Sequence, residues 1–170
     1  MGKKVLLIFG SSRSNGTTKF IVNELFKNRE VEFIDLLEQD ISYFDYEHAN
    51  SNDDFLQIAE KMVGYQDLIF VTPVYWFSMS AVMKNFFDRL TDLLQIRKDL
   101  GRKLKDKNTY FIASGTDKKL PTGFQVPFVR TSKHFEMNFR GFFYHYVMEE
   151  KKFNENCREE ARKFVELIYP

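Results

Sequence analysis

Short, nearly unbroken apolar runs alternate along the chain with longer stretches in which apolar residues recur every three or four positions. The first kind falls at residues 5–9, 31–35, 68–72, 109–113 and 142–147 and predicts strands. In the first, third and fourth, almost every position is apolar, as in strands covered on both faces of a parallel sheet. The second kind covers 18–27, 54–63, 81–96, 128–138 and 154–168 and predicts helices. Asp53 or Asp54 stands where it can cap the second of these, and Ser78 or Ser80 the third. Five strand–helix units joined by right-handed crossovers make a doubly wound α/β sandwich, expected to be one domain over residues 1–170. Ligands of such sheets bind beyond the carboxyl ends of the strands, where strand order reverses. The loops after the first, third and fourth strands are therefore where chemistry is expected.

The first of these loops reads Gly10-Ser11-Ser12-Arg13-Ser14-Asn15-Gly16-Thr17-Thr18 and opens directly into a helix. A helix N-terminus offers free N–H groups and partial positive charge, and with Ser and Thr hydroxyls it can bind a phosphate dianion. Two rival motifs are excluded by spacing. A Walker loop has four residues between its glycines followed by Lys; here five separate Gly10 from Gly16, and Thr17 follows. A dinucleotide fingerprint needs a glycine where Ser12 stands. An ordinary capped turn uses the same small residues, so this loop alone leaves both readings open. The loop after the third strand, Thr72-Pro73-Val74-Tyr75-Trp76-Phe77-Ser78, carries three consecutive aromatics. They suit contact with a flat heterocycle, or the plugging of a core or subunit contact.

These residues resemble the flavodoxin-like NAD(P)H-dependent FMN reductases and their quinone- and azo-reductase relatives. Gly10-Ser11-Ser12-Arg13 resembles the family's G-S-x-R opening, and Thr72 to Trp76 its S/T-P-V-Y-W loop. The run from Ser80 to Arg89 is similar to its S-x-x-L-K-x-F-I-D-R helix, and Ala113-Ser114-Gly115-Thr116 falls where the family holds the flavin's pyrimidine edge. The resemblance covers about residues 3–116 well and the C-terminal third weakly. It implies a three-layer flavodoxin-like sandwich with a five-stranded parallel sheet in the order 2-1-3-4-5. It implies FMN as cofactor, with Ser11, Arg13, Ser14, Gly16, Thr17 and Thr18 around the phosphate. Pro73, Val74, Tyr75, Trp76 and Phe77 would line the ring, and Ser114, Gly115, Thr116 and Asp117 its pyrimidine end. The implied activity is NAD(P)H oxidation, with NADPH or NADH donating, and hydride transfer through flavin N5 to a quinone, azo, nitro or flavin acceptor in a ping-pong cycle. The flavin carries that chemistry, so no protein nucleophile or acid–base pair is required; Tyr75 is the one candidate proton donor. A homodimer is also implied.

Three departures stand out. The stretch from Ile41 to Tyr46 lacks the cysteines that some relatives carry, so no iron–sulfur or thiol chemistry is implied. Thr17 stands where an Asn is usual. The stretch 117–127 is long and contains Lys118 and Lys119.

Composition narrows the field. With one cysteine, Cys157, neither an intrachain disulfide nor a thiolate metal cluster can form, which points to a reducing compartment, expected to be the cytoplasm. The longest apolar stretch, 68–77, is interrupted by Thr72 and Pro73, so no membrane span is expected. Lys3-Lys4 precedes too short an apolar run for a secretion signal, and Met1-Gly2 is followed at position six by Leu6, where an acylation signal needs Ser or Thr. Net charge is +1, but residues 97–140 hold 11 Lys/Arg against 4 Asp/Glu, an excess of +7 (11 − 4). That run reads as a solvated face or as a field for a phosphorylated small molecule; no nucleic-acid-reading motif accompanies it. The 19 Phe include Phe124, Phe128, Phe135, Phe139, Phe142 and Phe143, a tract compatible with an apolar interface or with core.

Bland readings cover the remaining candidates. Asp35 lies near a dinucleotide fold's ribose acid but reads as a strand-end residue. Lys84 and Asp88 form an ordinary i,i+4 pair worth about 0.2–0.5 kcal/mol. His48, His134 and His145 show no metal-ligand spacing. Lys118, Lys119 and Arg130 could meet a nucleotide's phosphates or be solvated charge. Two other functions stay open. One is a one-electron carrier of the flavodoxin kind, against which the lack of strong acidity counts; the other is an FMN-binding module without reductase activity.

Overall fold

The computed structural model describes residues 4–170, so the readings placed on Met1, Gly2 and Lys3 lie outside the described residues. The strands are β1 (Val5–Phe9), β2 (Glu32–Asp35), β3 (Asp67–Tyr75), the two-residue β4 (Ser78–Met79), β5 (Asn108–Gly115) and β6 (Asn138–Tyr146). Five run parallel in the order β2-β1-β3-β5-β6, and β4 folds back antiparallel on the end of β3. With β4 set aside this is the expected order 2-1-3-4-5, and the fold is flavodoxin-like.

Alternation along the strands builds two apolar layers. Leu6 and Ile8 of β1 face one layer with Leu68 and Phe70 of β3; Val5, Leu7 and Phe9 face the other with Ile69 and Val71. The first layer is closed by α2 (Phe55–Val63), α3 (Ala81–Arg89) and α6 (Val126–His134), the second by α1 (Thr17–Phe26) and α7 (Arg158–Ile168). Burying each such Leu, Ile or Phe contributes about 1.5–3 kcal/mol. Most of the phenylalanine tract serves this purpose. Phe124, Phe128, Phe135 and Phe143 are buried, and Phe128 and Phe142 stack on Phe111 with centroids 4.4 and 4.9 Å apart. Only Phe142, 41% exposed, remains at the surface.

Two predicted helices differ from the structure. The stretch 81–96 breaks after Arg89 and resumes as α4 (Asp92–Gln95), followed by α5 (Lys98–Arg102). The cause is a buried ion cluster. Arg89, 2% exposed, donates from Nε to Asp92 at 2.8 Å and from both terminal nitrogens to Asp53, with further bonds to the Ser42 and Asn50 carbonyls. Turning the backbone at 90–91 brings Asp92 onto this guanidinium. The stretch 128–138 ends as helix at His134, because Glu136 takes φ +54 and β6 begins at Asn138. No helix of the described residues is long and apolar enough to cross a membrane.

Candidate functional site

The carboxyl end of the sheet is assembled around Gly10. Its N–H donates to Val71 O at 2.8 Å, and a Cβ there would lie 2.9 Å from the Met83 backbone nitrogen, so only glycine lets α3 rest on the end of β1. Ser80 fastens the contact. Its Oγ accepts from Met83 N–H at 3.1 Å, capping α3, and donates to Gly10 O at 2.7 Å. Its own N–H donates to Thr72 Oγ at 3.0 Å. The sequence pointed to Ser80 as a cap; its tie between the first two loops was not visible there.

After Gly10 the chain enters α1 with Gly16 as N-cap and no side-chain cap. The first-turn N–H groups are therefore directed at the loop without a side-chain acceptor from it, which favours an anion. Ser11, Thr17 and Thr18 are buried, Ser14 is half-buried, and Ser12 and Arg13 are exposed. Two contacts come from the segment after β6, which sequence reasoning did not connect to this loop. Arg13 pairs with Glu150 at 3.2 Å, and Lys151 N–H donates to Thr17 Oγ at 3.2 Å.

The second loop is a two-residue turn between β3 and β4. Trp76 and Phe77 occupy it at φ +47 and +63, a conformation normally left to Gly or Asn. Such backbone costs on the order of 1–3 kcal/mol per residue. The two rings gain little burial in return, being 91% and 66% exposed. Pro73 is buried beside Ser114 in the sheet register, Val74 is half-buried and Tyr75 is 40% exposed.

The third loop leaves β5 at Gly115, where a Cβ would meet the Tyr144 hydroxyl at 2.8 Å and Val74 Cβ at 3.1 Å. Tyr144 donates to Asp117 O at 2.8 Å. Burial first, and Asp117 next, push its phenol up to about 12, so it stays a donor. Thr116 and Asp117 are exposed.

Hydroxyl contacts bring the three loops together. Thr18 Oγ and Ser114 Oγ lie 2.8 Å apart in a buried contact, and Ser12 Oγ and the Tyr75 hydroxyl 2.9 Å apart at the surface. Every residue singled out for a cofactor thus belongs to three adjoining segments. Ser12, Tyr144 and Glu150, which also organise those segments, were not among the residues named for a cofactor, and Ser80 was named only as a helix cap. Other candidates lie elsewhere. Lys118 and Lys119 are exposed, Asp35 caps a 3-10 turn by accepting from Leu37 N–H at 3.0 Å, and Arg130 lines a groove beside α3. His48 bonds Asp92 and Gln95, and His145 is buried with Nε2 accepting from Asn154 N–H at 2.9 Å.

The sequence pattern of the NADPH-dependent FMN reductase family matches residues 3–121. The chain belongs to that family. Among proteins of this kind, YwqN of Bacillus subtilis, named as an NAD(P)H-dependent FMN-containing oxidoreductase, is 30% identical over 151 residues, 82% of each chain. The solved structure of the Trp repressor binding protein from Bacillus subtilis superposes with a TM-score of 0.73 at 23% identity, covering 98% of this chain and 97% of that one. FerB, a flavoenzyme NAD(P)H:acceptor oxidoreductase from Paracoccus denitrificans, gives 0.67 at 14% identity over 98% and 95%. The latter two likenesses speak to the fold; family membership makes the protein an FMN- and NAD(P)H-dependent oxidoreductase.

The residues present fit FMN. An uncapped helix start amid hydroxyls suits the phosphate, the exposed aromatic turn suits a flat ring, and Gly115 keeps the rim of the third loop free of a side chain.

Proposed function

We propose that the loops after β1, β3 and β5 hold FMN and that the protein uses it to reduce a small acceptor at the expense of NADPH or NADH. The observation that carries this reading is the meeting of the three loops through Thr18–Ser114 and Ser12–Tyr75. Ser11, Arg13, Ser14, Gly16, Thr17 and Thr18 receive the phosphate, whose charge is met by the α1 amides and the Arg13 guanidinium. Arg13 exchanges Glu150 for this ligand. Pro73 to Phe77 form a wall against the ring, and Ser114 to Asp117 meet its polar edge. When bound, FMN supplies two-electron transfer from the nicotinamide nucleotide to a quinone, azo, nitro or flavin acceptor in a ping-pong cycle. The protein's part is to bind, orient and polarise: amides at the polar edge favour negative charge there, while Tyr75 keeps a hydroxyl at the rim.

Residues 1–170 act as one unit in this reading, in the cytoplasm and as a homodimer. Trp76, 91% exposed, is the surface a second subunit would cover.

The test uses the chain's one tryptophan, Trp76. Titration with FMN should quench its fluorescence at one equivalent and give a yellow protein that bleaches with NADPH or NADH. Aerobic nucleotide consumption with menadione should follow. A protein that takes up no FMN overturns the reading. One that takes it up but oxidises no nucleotide without a separate reductase is a one-electron carrier instead. Sedimentation as a monomer removes the dimer alone.

A further inference from the structure

Within the basic run at 97–140, some side chains are already engaged and others are not. Arg97 pairs with Glu60 and Asp99, Lys105 with Glu136, and Lys107 donates to the Val63 and Tyr65 carbonyls. Lys98, Arg102 and Arg130 have no carboxylate within 4.0 Å among the described residues. These three converge on two adjoining grooves. One, of about 290 Å³, is lined by Leu93, Leu94, Lys98, Gly101, Arg102 and Phe135 among others. The other, of about 310 Å³, lies between α3 and α6 and is lined by Phe87, Leu90, Leu94, Arg130 and Phe135 among others. Leu94, His134 and Phe135 belong to both. Each volume is near the lower end of the range for small-molecule sites.

The place is far from the flavin loops in the topology. Lys105 and Glu136 directly precede β5 and β6, so the first groove opens at the amino ends of the strands, whereas the proposed FMN site is at their carboxyl ends. The wall is built by close packing. A Cβ on Gly101 would lie 2.3 Å from the Leu93 carbonyl oxygen, so the missing side chain lets α5 abut α4. Among the described residues the only carboxylate lining either groove is Glu136, and Lys105 holds it at 2.6 Å.

We propose that this double groove binds a small organic anion: an aromatic body carrying a phosphate or carboxylate. The aromatic part covers Leu94, Phe135 and Phe87. The anionic part meets Arg102 or Arg130, whose planar forks match either acid bidentately, with Lys98 adding charge. Neither half suffices alone. Inorganic phosphate leaves the apolar floor wet, and a neutral arene leaves the charges of Lys98, Arg102 and Arg130 uncompensated.

The test uses the protein with saturating FMN, which occupies the other phosphate-binding candidate. It is titrated with 2-naphthyl phosphate, 2-naphthoate, 2-naphthalenemethanol and inorganic phosphate while amide resonances are followed. Either naphthyl anion should shift Leu94, Gly101 and His134, bind at least tenfold more tightly than the neutral alcohol or inorganic phosphate, and weaken as salt rises. Comparing the two anions tells phosphate from carboxylate. R102E and R130E should each weaken binding at least tenfold without lowering the melting temperature or the FMN affinity. Leu94→Asp, at an exposed position, should do the same from the apolar side. Shifts confined to residues 11–18, 73–77 or 114–117, equal binding of the neutral alcohol, or unchanged affinity in all three variants would overturn the proposal. So would groove shifts that follow protein concentration without any probe, which would make the face a contact between copies. If the protein takes up no FMN, the titration on the unloaded protein still decides this question by where the shifts fall.

Discussion

The hydroxyls of Thr18 and Ser114 meet at 2.8 Å across 96 residues of sequence, inside the protein, where the start of α1 touches the end of β5. Each satisfies the other, so removing one leaves a buried polar group unpaired, at about 1–3 kcal/mol. T18V or S114A alone should lower unfolding free energy by that amount, and T18V/S114A by less than the sum. Urea melts of the four proteins give the coupling directly. FMN affinity should fall in all three variants, since the contact sets the spacing of the two loops proposed to hold it.

Trp76 makes the opposite case. It is almost fully exposed and sits at φ +47, so replacing it by glycine removes backbone strain and little packing. W76G should unfold at equal or higher denaturant concentration than the parent, yet bind FMN at least tenfold more weakly. A loss of stability would mean that the indole supports the fold and that its exposure is misleading.

Losing the buried Arg89 of α3 should be costly. Without it, Asp53 and Asp92 stay buried with no cation, and breaking a buried pair in this way costs about 3–5 kcal/mol. R89M should show this at pH 7, and R89M/D53N/D92N should recover part. The acid dependence follows from Asp53. Burial opposes its ionisation, but Arg89 and the N–H groups of Ser42 and Phe55 outweigh burial and hold its carboxyl below the ordinary 3.8. Its contribution is therefore complete above about pH 4 and lost as the pH drops through the lowered value. Denaturation below pH 4 should be steeper in the parent than in R89M.

His145 titrates in a different window. It is fully buried, and burial alone brings its imidazole from 6.5 down to about 4. The unfolded chain takes up a proton near 6.5 and the folded one only near 4, so stability is full above 6.5 and declines toward 4. At about 1.36 kcal/mol per unit the whole loss is about 3 kcal/mol. The urea midpoint should drop between pH 7 and pH 5 in the parent and much less in His145→Gln, which keeps an acceptor for Asn154 N–H. An imidazole resonance titrating near 6.5 would contradict this.

The parts of this architecture that were legible in sequence are those governed by local pattern. The near-continuous apolar runs at 5–9, 68–72 and 109–113 became central strands because burial on both faces admits a polar residue only where it is bonded, as Thr72 and Thr109 are. Three candidate loops followed from strand order, and they do adjoin. What escaped depends on partners distant in sequence. Nothing between Ala81 and Ile96 announces a break at Leu90; the turn brings Asp92 onto Arg89, which Asp53 also holds from across the fold. Helical spacing at 128–138 ran on past His134 because Phe135 and Met137 stay buried while the backbone changes from helix to strand. Glu150 and Lys151 gave no signal at all, being charged residues in a turn, yet they touch Arg13 and Thr17.

That last pair of contacts joins chain segments 134 and 137 residues apart. The loop after β1 is synthesised well before its cover, which is made only after β6 has left the ribosome. A nascent chain can thus form its central strands early and still lack the finished rim of its first loop. The rim of that loop is therefore completed last, and whatever binds there meets its full set of contacts only once Glu150 and Lys151 are in place.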